Sequence, residues 1–270
     1  MTTTDAYVLG RTDAEYERLR AQAGIWEKAT ASLLDRAGLA AGARCLDVGC
    51  GPGETMRLMA ERVGPDGAVV GMDVDAELGS SAIRMLHAAG HRQCSFVSGD
   101  AFREEPPPGG YDLVFARLLL IHVDDPVTVL RRMWEWTAPG GHLVVQDYDM
   151  RTVGVHPELP VVAEWRRVFL GTFAAAGRDI RIGHRLPALL AEAGIGDPDG
   201  SEVSGRMEPF GRAAGMLAAT YRSVAPAAVS LGLVTESQRD EWLAEIDQAM
   251  RDYPDHTAMW PLMIGVHKRR

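Results

Sequence analysis

Short apolar runs alternating with helical patterns predict an α/β fold, a mostly parallel sheet with helices on both faces. Three observations carry this. Strand-like and helix-like stretches alternate from Ala43 to Asp147. The run Cys45-Leu46-Asp47-Val48 breaks off in Gly49-Cys50-Gly51-Pro52-Gly53, with a helical pattern from Glu54. Turn clusters at Gly64-Pro65-Asp66-Gly67, Pro106-Pro107-Pro108-Gly109-Gly110 and Ala138-Pro139-Gly140-Gly141 punctuate the alternation.

In chain order, Thr12-Asp13-Ala14-Glu15 is a capping box opening a first helix, and after Gly24 a second runs from about Ile25 to Ala37. Cys45–Val48 reads as the first strand and Glu54–Val63 as the next helix. Ala68–Asp73 is a second buried strand, and Asp75 is placed to cap a helix to about Ala89. Strands at Cys94–Val97 and Tyr111–Ala116 follow, then a helix opened by Asp125-Pro126, and a fifth strand over His142–Asp147. Beyond Asp147 the pattern predicts helices over 158–176 and 184–193, and a sixth strand from near Gly200 ending between Gly205 and Phe210. A long helical stretch to Asp252 has a capping box at Thr235-Glu236-Ser237-Gln238, and a last strand spans Ala258–His267.

The glycine turn limits the ligand. Glycines 49, 51 and 53 let a ligand lie against the backbone at the end of the strand. A dinucleotide fingerprint needs a small residue three places after the second glycine, and Glu54 stands there. A carboxylate in the first helical turn repels phosphate, so NAD or FAD is disfavoured and a cationic or neutral nucleoside is favoured. Asp47 calls for a partner such as an ammonium group, unless it is a satisfied structural aspartate. Asp73, some twenty residues on, is placed to accept both hydroxyls of a ribose.

Formal charge is −9, and basic residues cluster only at Lys268-Arg269-Arg270, so nucleic acid is not expected as a partner. The three cysteines 45, 50 and 94 form no C-x-x-C pair, which suits a reducing cytoplasm and offers no zinc framework. No run of about 18 apolar residues and no leader pattern is visible, so a soluble cytoplasmic protein without a membrane partner is expected. No acidic cluster is spaced for a divalent metal, and none is expected.

LDVGCGPGE resembles the first motif of class I S-adenosylmethionine-dependent methyltransferases, especially the bacterial small-molecule type related to quinone biosynthesis. APGGHLVV resembles the same family's turn before the fifth strand; the likeness is firm over 33–147 and loose elsewhere. It implies a Rossmann-like, seven-stranded, mostly parallel sheet. Residues 1–40 would be a helical lid, 41–147 the S-adenosyl-L-methionine-binding core, and 148–270 the acceptor side with the last strands. It implies methyl transfer to oxygen, nitrogen or carbon of a small molecule, natural-product or quinone-like, in secondary metabolism. A protein of this fold catalysing an isomerisation or cyclisation without methylation stays open, as does a homodimer.

The implied cofactor set is Tyr7, Gln22, Asp47, Gly49, Cys50, Gly51, Asp73, Val74, Asp100, Ala101, Phe102 and Arg117. Asp100 and Ala101 match the position that meets adenine, where a helix-cap Asp100 with a core Phe102 is the alternative. Tyr7, Tyr16, Gln22 and Trp26 could serve the lid or pack helices on the sheet. Arg117 suits the methionine carboxylate, since its fork fits two oxygens. For a hydroxyl acceptor, His122, Asp147 or His184 could be the base, with His122 equally able to fix its own loop. For a carbon acceptor, Tyr7 or Tyr148 could face developing charge.

Overall fold

The computed structural model describes residues 13–270, so Tyr7 and the Thr12 end of the capping box lie outside the described residues. The elements are α1 (Asp13–Ile25), α2 (Glu27–Arg36), β1 (Arg44–Val48), α3 (Glu54–Val63), β2 (Ala68–Asp73), α4 (Ala76–Ala88) and β3 (Cys94–Ser98). Then come β4 (Tyr111–Arg117), α5 (Pro126–Trp136), β5 (Thr137–Asp149), β6 (Gly154–His156), α6 (Pro160–Ala175), α7 (Ile182–Glu192) and β7 (Gly200–Ser204). The chain ends with β8 (Met207–Pro209), α8 (Phe210–Ser230), α9 (Glu236–Asp252), β9 (Thr257–Met259) and β10 (Leu262–Arg269).

These divide into two compact units. The larger comprises residues 19–147, 182–203 and 263–270 and holds a seven-stranded sheet of order β3-β2-β1-β4-β5-β10-β7. β2 and β4 flank β1, and the pairs β1·β2, β1·β4, β2·β3 and β4·β5 are parallel. Gly140 and Gly141 at the start of β5 exchange bonds with Arg270 just past the end of β10, so those two neighbours run oppositely. The Rossmann-like, mostly parallel expectation holds. Leu113, Val114, Phe115 and Ala116 of β4 are all buried, as expected of a strand covered on both faces. Leu33 and Leu34 of α2, Met56 and Met59 of α3, and Cys45, Phe115 and Val144 of the strands share one core cluster.

Local chemistry sets the helix starts. Asp75 accepts from Leu78 N–H, and Asp125 accepts from Thr128 N–H ahead of Pro126. The capping box forms at Thr235 and Gln238.

The smaller unit comprises residues 148–181 and 204–262 with the described part of 1–18. It packs α6, α8 and α9 with an antiparallel sheet of order β6-β9-β8. Two sequence expectations are corrected here. The sixth strand stops at Ser204, and Met207–Pro209 pairs instead with β9 in this second sheet. The expected last strand is two strands, split at Trp260-Pro261: proline has no N–H for a ladder, and Trp260 N–H goes to Arg206 O. β5 is longer than expected, because Thr137 already pairs with Tyr111 across an irregularity in register.

Candidate cofactor-binding site

Within the larger unit the chain builds β1, β2 and β3 outward on one side and returns to place β4 and β5 on the other. The carboxyl ends of β1 and β4 therefore border a topological switch point, where open α/β sheets bind ligands. The expected residues collect at the strand ends: Asp47 and the glycine turn on β1, Asp73 and Val74 on β2, Asp100 to Phe102 after β3, Arg117 and His122 on and after β4, and Asp147 on β5.

The turn takes the shape its glycines allow. Gly49, Gly51 and Gly53 have φ of 72°, 49° and 82°, the left-handed region that side chains rarely adopt. Gly49 and Cys50 N–H groups donate to Met72 O, which ties the turn to β2. Cys50 is buried and burial holds its thiol well above the usual range, so it packs rather than reacts. A Cβ on Gly49 would stand 3.0 Å from Leu119 Cδ1, so the turn and the loop after β4 pack directly together. Gly49→Ala should lose about 1–3 kcal/mol of stability from the backbone conformation, with the Leu119 contact adding to it. Urea unfolding measures this; an unchanged midpoint would refute it.

Asp73 is the hub of the turn. Its Oδ2 accepts from Gly51 N–H at 2.9 Å and its Oδ1 from Asp75 N–H at 2.9 Å. An ionised carboxylate offers about four acceptor positions, so a residue of this type can serve the turn and sugar hydroxyls together. Val74 beside it is 56% exposed, an apolar side chain held in solvent at the end of β2. Asp100 Oδ1 accepts from Phe102 N–H at 2.9 Å, so this carboxylate also shapes its own loop. Ala101 and Phe102 are half-buried.

Asp47 is buried, and its Oδ2 has no hydrogen-bond partner. Burial pushes its carboxyl up to about 7; the positive charge of Arg117 opposes this and the negative charge of Asp73 adds to it. An orphaned buried carboxylate oxygen beside a glycine cradle fits a ligand that brings a positive charge. Glu54 opens α3 as expected, and Arg57 pairs with it at 3.4 Å and with Glu27 and Glu61 at 2.8 and 2.7 Å. Three carboxylates share one guanidinium, so this helix start remains unsuited to a pyrophosphate.

The loop after β4 is held by the end of β5. Leu118 has φ 55°, the one such non-glycine position among the described residues, and its N–H donates to Gln146 O at 2.9 Å. Asp147, buried, accepts from Ile121 N–H through Oδ2 at 3.2 Å, next to His122. Arg117 Nη1 donates to Thr30 Oγ1 on α2 at 3.0 Å, and Thr30 Oγ1 donates to Gln146 Oε1 at 2.7 Å. Thr30, Leu118 and Gln146 were not legible as site residues. The available signal was Thr30's place on the same face of α2 as Leu33 and Leu34, where a polar side chain needs a partner.

Gln22 lies half-buried on α1, Tyr16 is half-buried and Trp26 is buried between α1 and α2. His184 stands exposed on α7, and Tyr148 is buried. Among the described residues no group of three His, Cys, Asp or Glu could hold a metal, and no helix is long and apolar enough to cross a membrane.

A sheet of this order, with a glycine turn tied to an acid on the next strand, defines a nucleoside-binding protein of the class I methyltransferase type. The methyltransferase-domain family matches residues 39–181, more than half of the chain. Trans-aconitate 2-methyltransferase of Methylobacterium nodulans is 38% identical over 44% of this chain and 43% of its own length. Demethylmenaquinone methyltransferase of Lactococcus lactis is 24% identical over 86% of this chain and 89% of its own. The match spans only 30% to 53% of the length of the first four curated relatives. Among solved structures, phosphoethanolamine N-methyltransferase 2 of Haemonchus contortus, holding phosphomonomethylethanolamine and S-adenosylhomocysteine, aligns with a TM-score of 0.54 at 19% identity over 90% of this chain and 53% of that one. The chain belongs to the methyltransferase-domain family, whose cofactor is S-adenosyl-L-methionine.

Proposed function

We propose that this protein transfers a methyl group from S-adenosyl-L-methionine to a small-molecule acceptor, natural-product or quinone-like, in cytoplasmic secondary metabolism. The observation that carries the reading is Asp47: a buried carboxylate oxygen without a partner, next to a glycine turn with open space where a Gly51 side chain would stand. The near full-length likeness to a demethylmenaquinone methyltransferase supports a quinone-like acceptor. The three free cysteines suit a reducing compartment.

When bound, the cofactor supplies a methyl carbon activated by a sulfonium. The chain's own residues do the rest by placement. Gly49, Cys50 and Gly51 would border the ligand through the backbone; Asp73 would hold the ribose hydroxyls, and Asp100 and Ala101 the adenine, with Val74 and Phe102 as apolar neighbours. Asp47 balances the positive charge, and Arg117 takes the methionine carboxylate. His122 accepts a proton from an acceptor hydroxyl, and Asp147 steadies the loop that carries it.

Titration calorimetry with S-adenosyl-L-methionine and with NAD tests the binding half; heat from NAD alone would defeat it. Incubation with candidate quinols and phenolic acids tests the transfer half: S-adenosylhomocysteine should appear in step with methylated product. Product isomerised or cyclised without cofactor loss would point instead to a non-methylating enzyme on this fold. His122→Ala should lower turnover about a hundredfold while leaving cofactor affinity in place, and a fully active variant would remove it as the base.

A further inference from the structure

A line of three hydrogen-bonding side chains runs from the end of β4 through α2 to β5. Its direction is set by chemistry. A guanidinium only donates, so Thr30 Oγ1 accepts from Arg117 at 3.0 Å, and its single proton goes to Gln146 Oε1 at 2.7 Å. Thr30 is 0% and Gln146 2% exposed, so water cannot stand in for either. The same Gln146 holds Leu118 N–H through its backbone carbonyl, where Leu118 keeps φ at 55° directly after Arg117. A left-handed leucine persists only where its surroundings over-determine it, and such positions collect at functional sites. One glutamine therefore bears on both the side chain of Arg117, through Thr30, and the backbone that follows it.

We infer that Thr30, backed by Gln146, is a positioning residue that sets Arg117 for the acid end of an amino-acid-bearing nucleoside. This rests on the reading of Arg117 as the carboxylate partner of the cofactor. Thr30 never meets the ligand in this assignment; it acts only through the guanidinium. If it merely seated α2 on the sheet, its loss would affect every ligand of the site alike.

The two roles separate in binding of S-adenosyl-L-methionine against 5′-methylthioadenosine, which has the same nucleoside but neither carboxylate nor ammonium. Thr30→Val keeps the shape and removes the hydroxyl. It should weaken S-adenosyl-L-methionine by about tenfold or more and leave 5′-methylthioadenosine within about twofold, and Thr30→Ser should restore the loss. Retained 5′-methylthioadenosine binding also shows that the variant is folded; Thr30→Ala gives the same comparison where valine disturbs the packing. In an Arg117→Met background, Thr30→Val should add nothing. Equal losses for both ligands, or losses that add in the double variant, would overturn the inference. Failure of the underlying reading is separately visible: Arg117→Met would then bind S-adenosyl-L-methionine as well as the wild type does.

Discussion

Asp73→Ala should weaken S-adenosyl-L-methionine binding by about 3 kcal/mol, roughly 150-fold. Two losses combine. The ribose hydroxyls lose a charged acceptor, and the turn itself loses the bonds from Gly51 N–H to Oδ2 and from Asp75 N–H to Oδ1. The second loss reaches the ligand through the backbone of the cradle, so the effect exceeds that of a sugar contact alone. Asp73→Asn keeps one carbonyl oxygen and should fall between wild type and alanine. Calorimetry gives the affinity and urea unfolding the cost to the free protein. Unchanged affinity in the alanine variant would remove Asp73 from the site.

The second expectation concerns protons. Burial holds the Asp47 carboxyl up at about 7, whereas an unfolded aspartate titrates near 3.9. Between those values the folded chain keeps a proton that the unfolded chain gives up, so stability falls as pH rises through about 4 to 7 and is level above. The full span is worth up to about 4 kcal/mol. A ligand bearing positive charge favours the ionised form, which reverses the trend for binding. Affinity for S-adenosyl-L-methionine should rise about fivefold from pH 6 to pH 7, about twofold more to pH 8, and then flatten, with close to one proton released per cofactor bound at pH 6. Calorimetry in buffers of different ionisation enthalpy counts that proton. Asp47→Asn should abolish the release; a wild type that binds without releasing a proton would show that Asp47 faces no cation.

How far the sequence led depended on whether a feature is written locally. The strand, turn and helix around Asp47 follow from apolar run length and glycine spacing, and β2 and α3 begin and end where those patterns do. Asp75 and Asp125 were legible as caps because capping is decided within four residues. What was not legible depends on distant partners. Nothing near Met207 or Thr257 announces that they share a small sheet, and Pro261 marks a break only once the two flanking strands are seen to belong to different sheets. Arg117 and Gln146 could each be read as polar residues at strand ends, yet their link runs through Thr30, more than 80 residues earlier in the chain than Arg117. The same holds for Leu118, whose backbone conformation is imposed by the neighbouring strand and has no residue-type signature.

Gln146 and Asp147 also tell a protein engineer where to cut. One boundary between the compact units falls directly after Asp147, while the Gln146 side chain braces Thr30, the partner of Arg117, and the Asp147 side chain holds the loop that carries His122. Chimeras meant to exchange substrate preference should therefore join at Tyr148 or later, keeping the recipient's own Gln-Asp pair. A junction placed only two residues upstream would import a foreign brace and disturb the nucleoside cradle along with the graft.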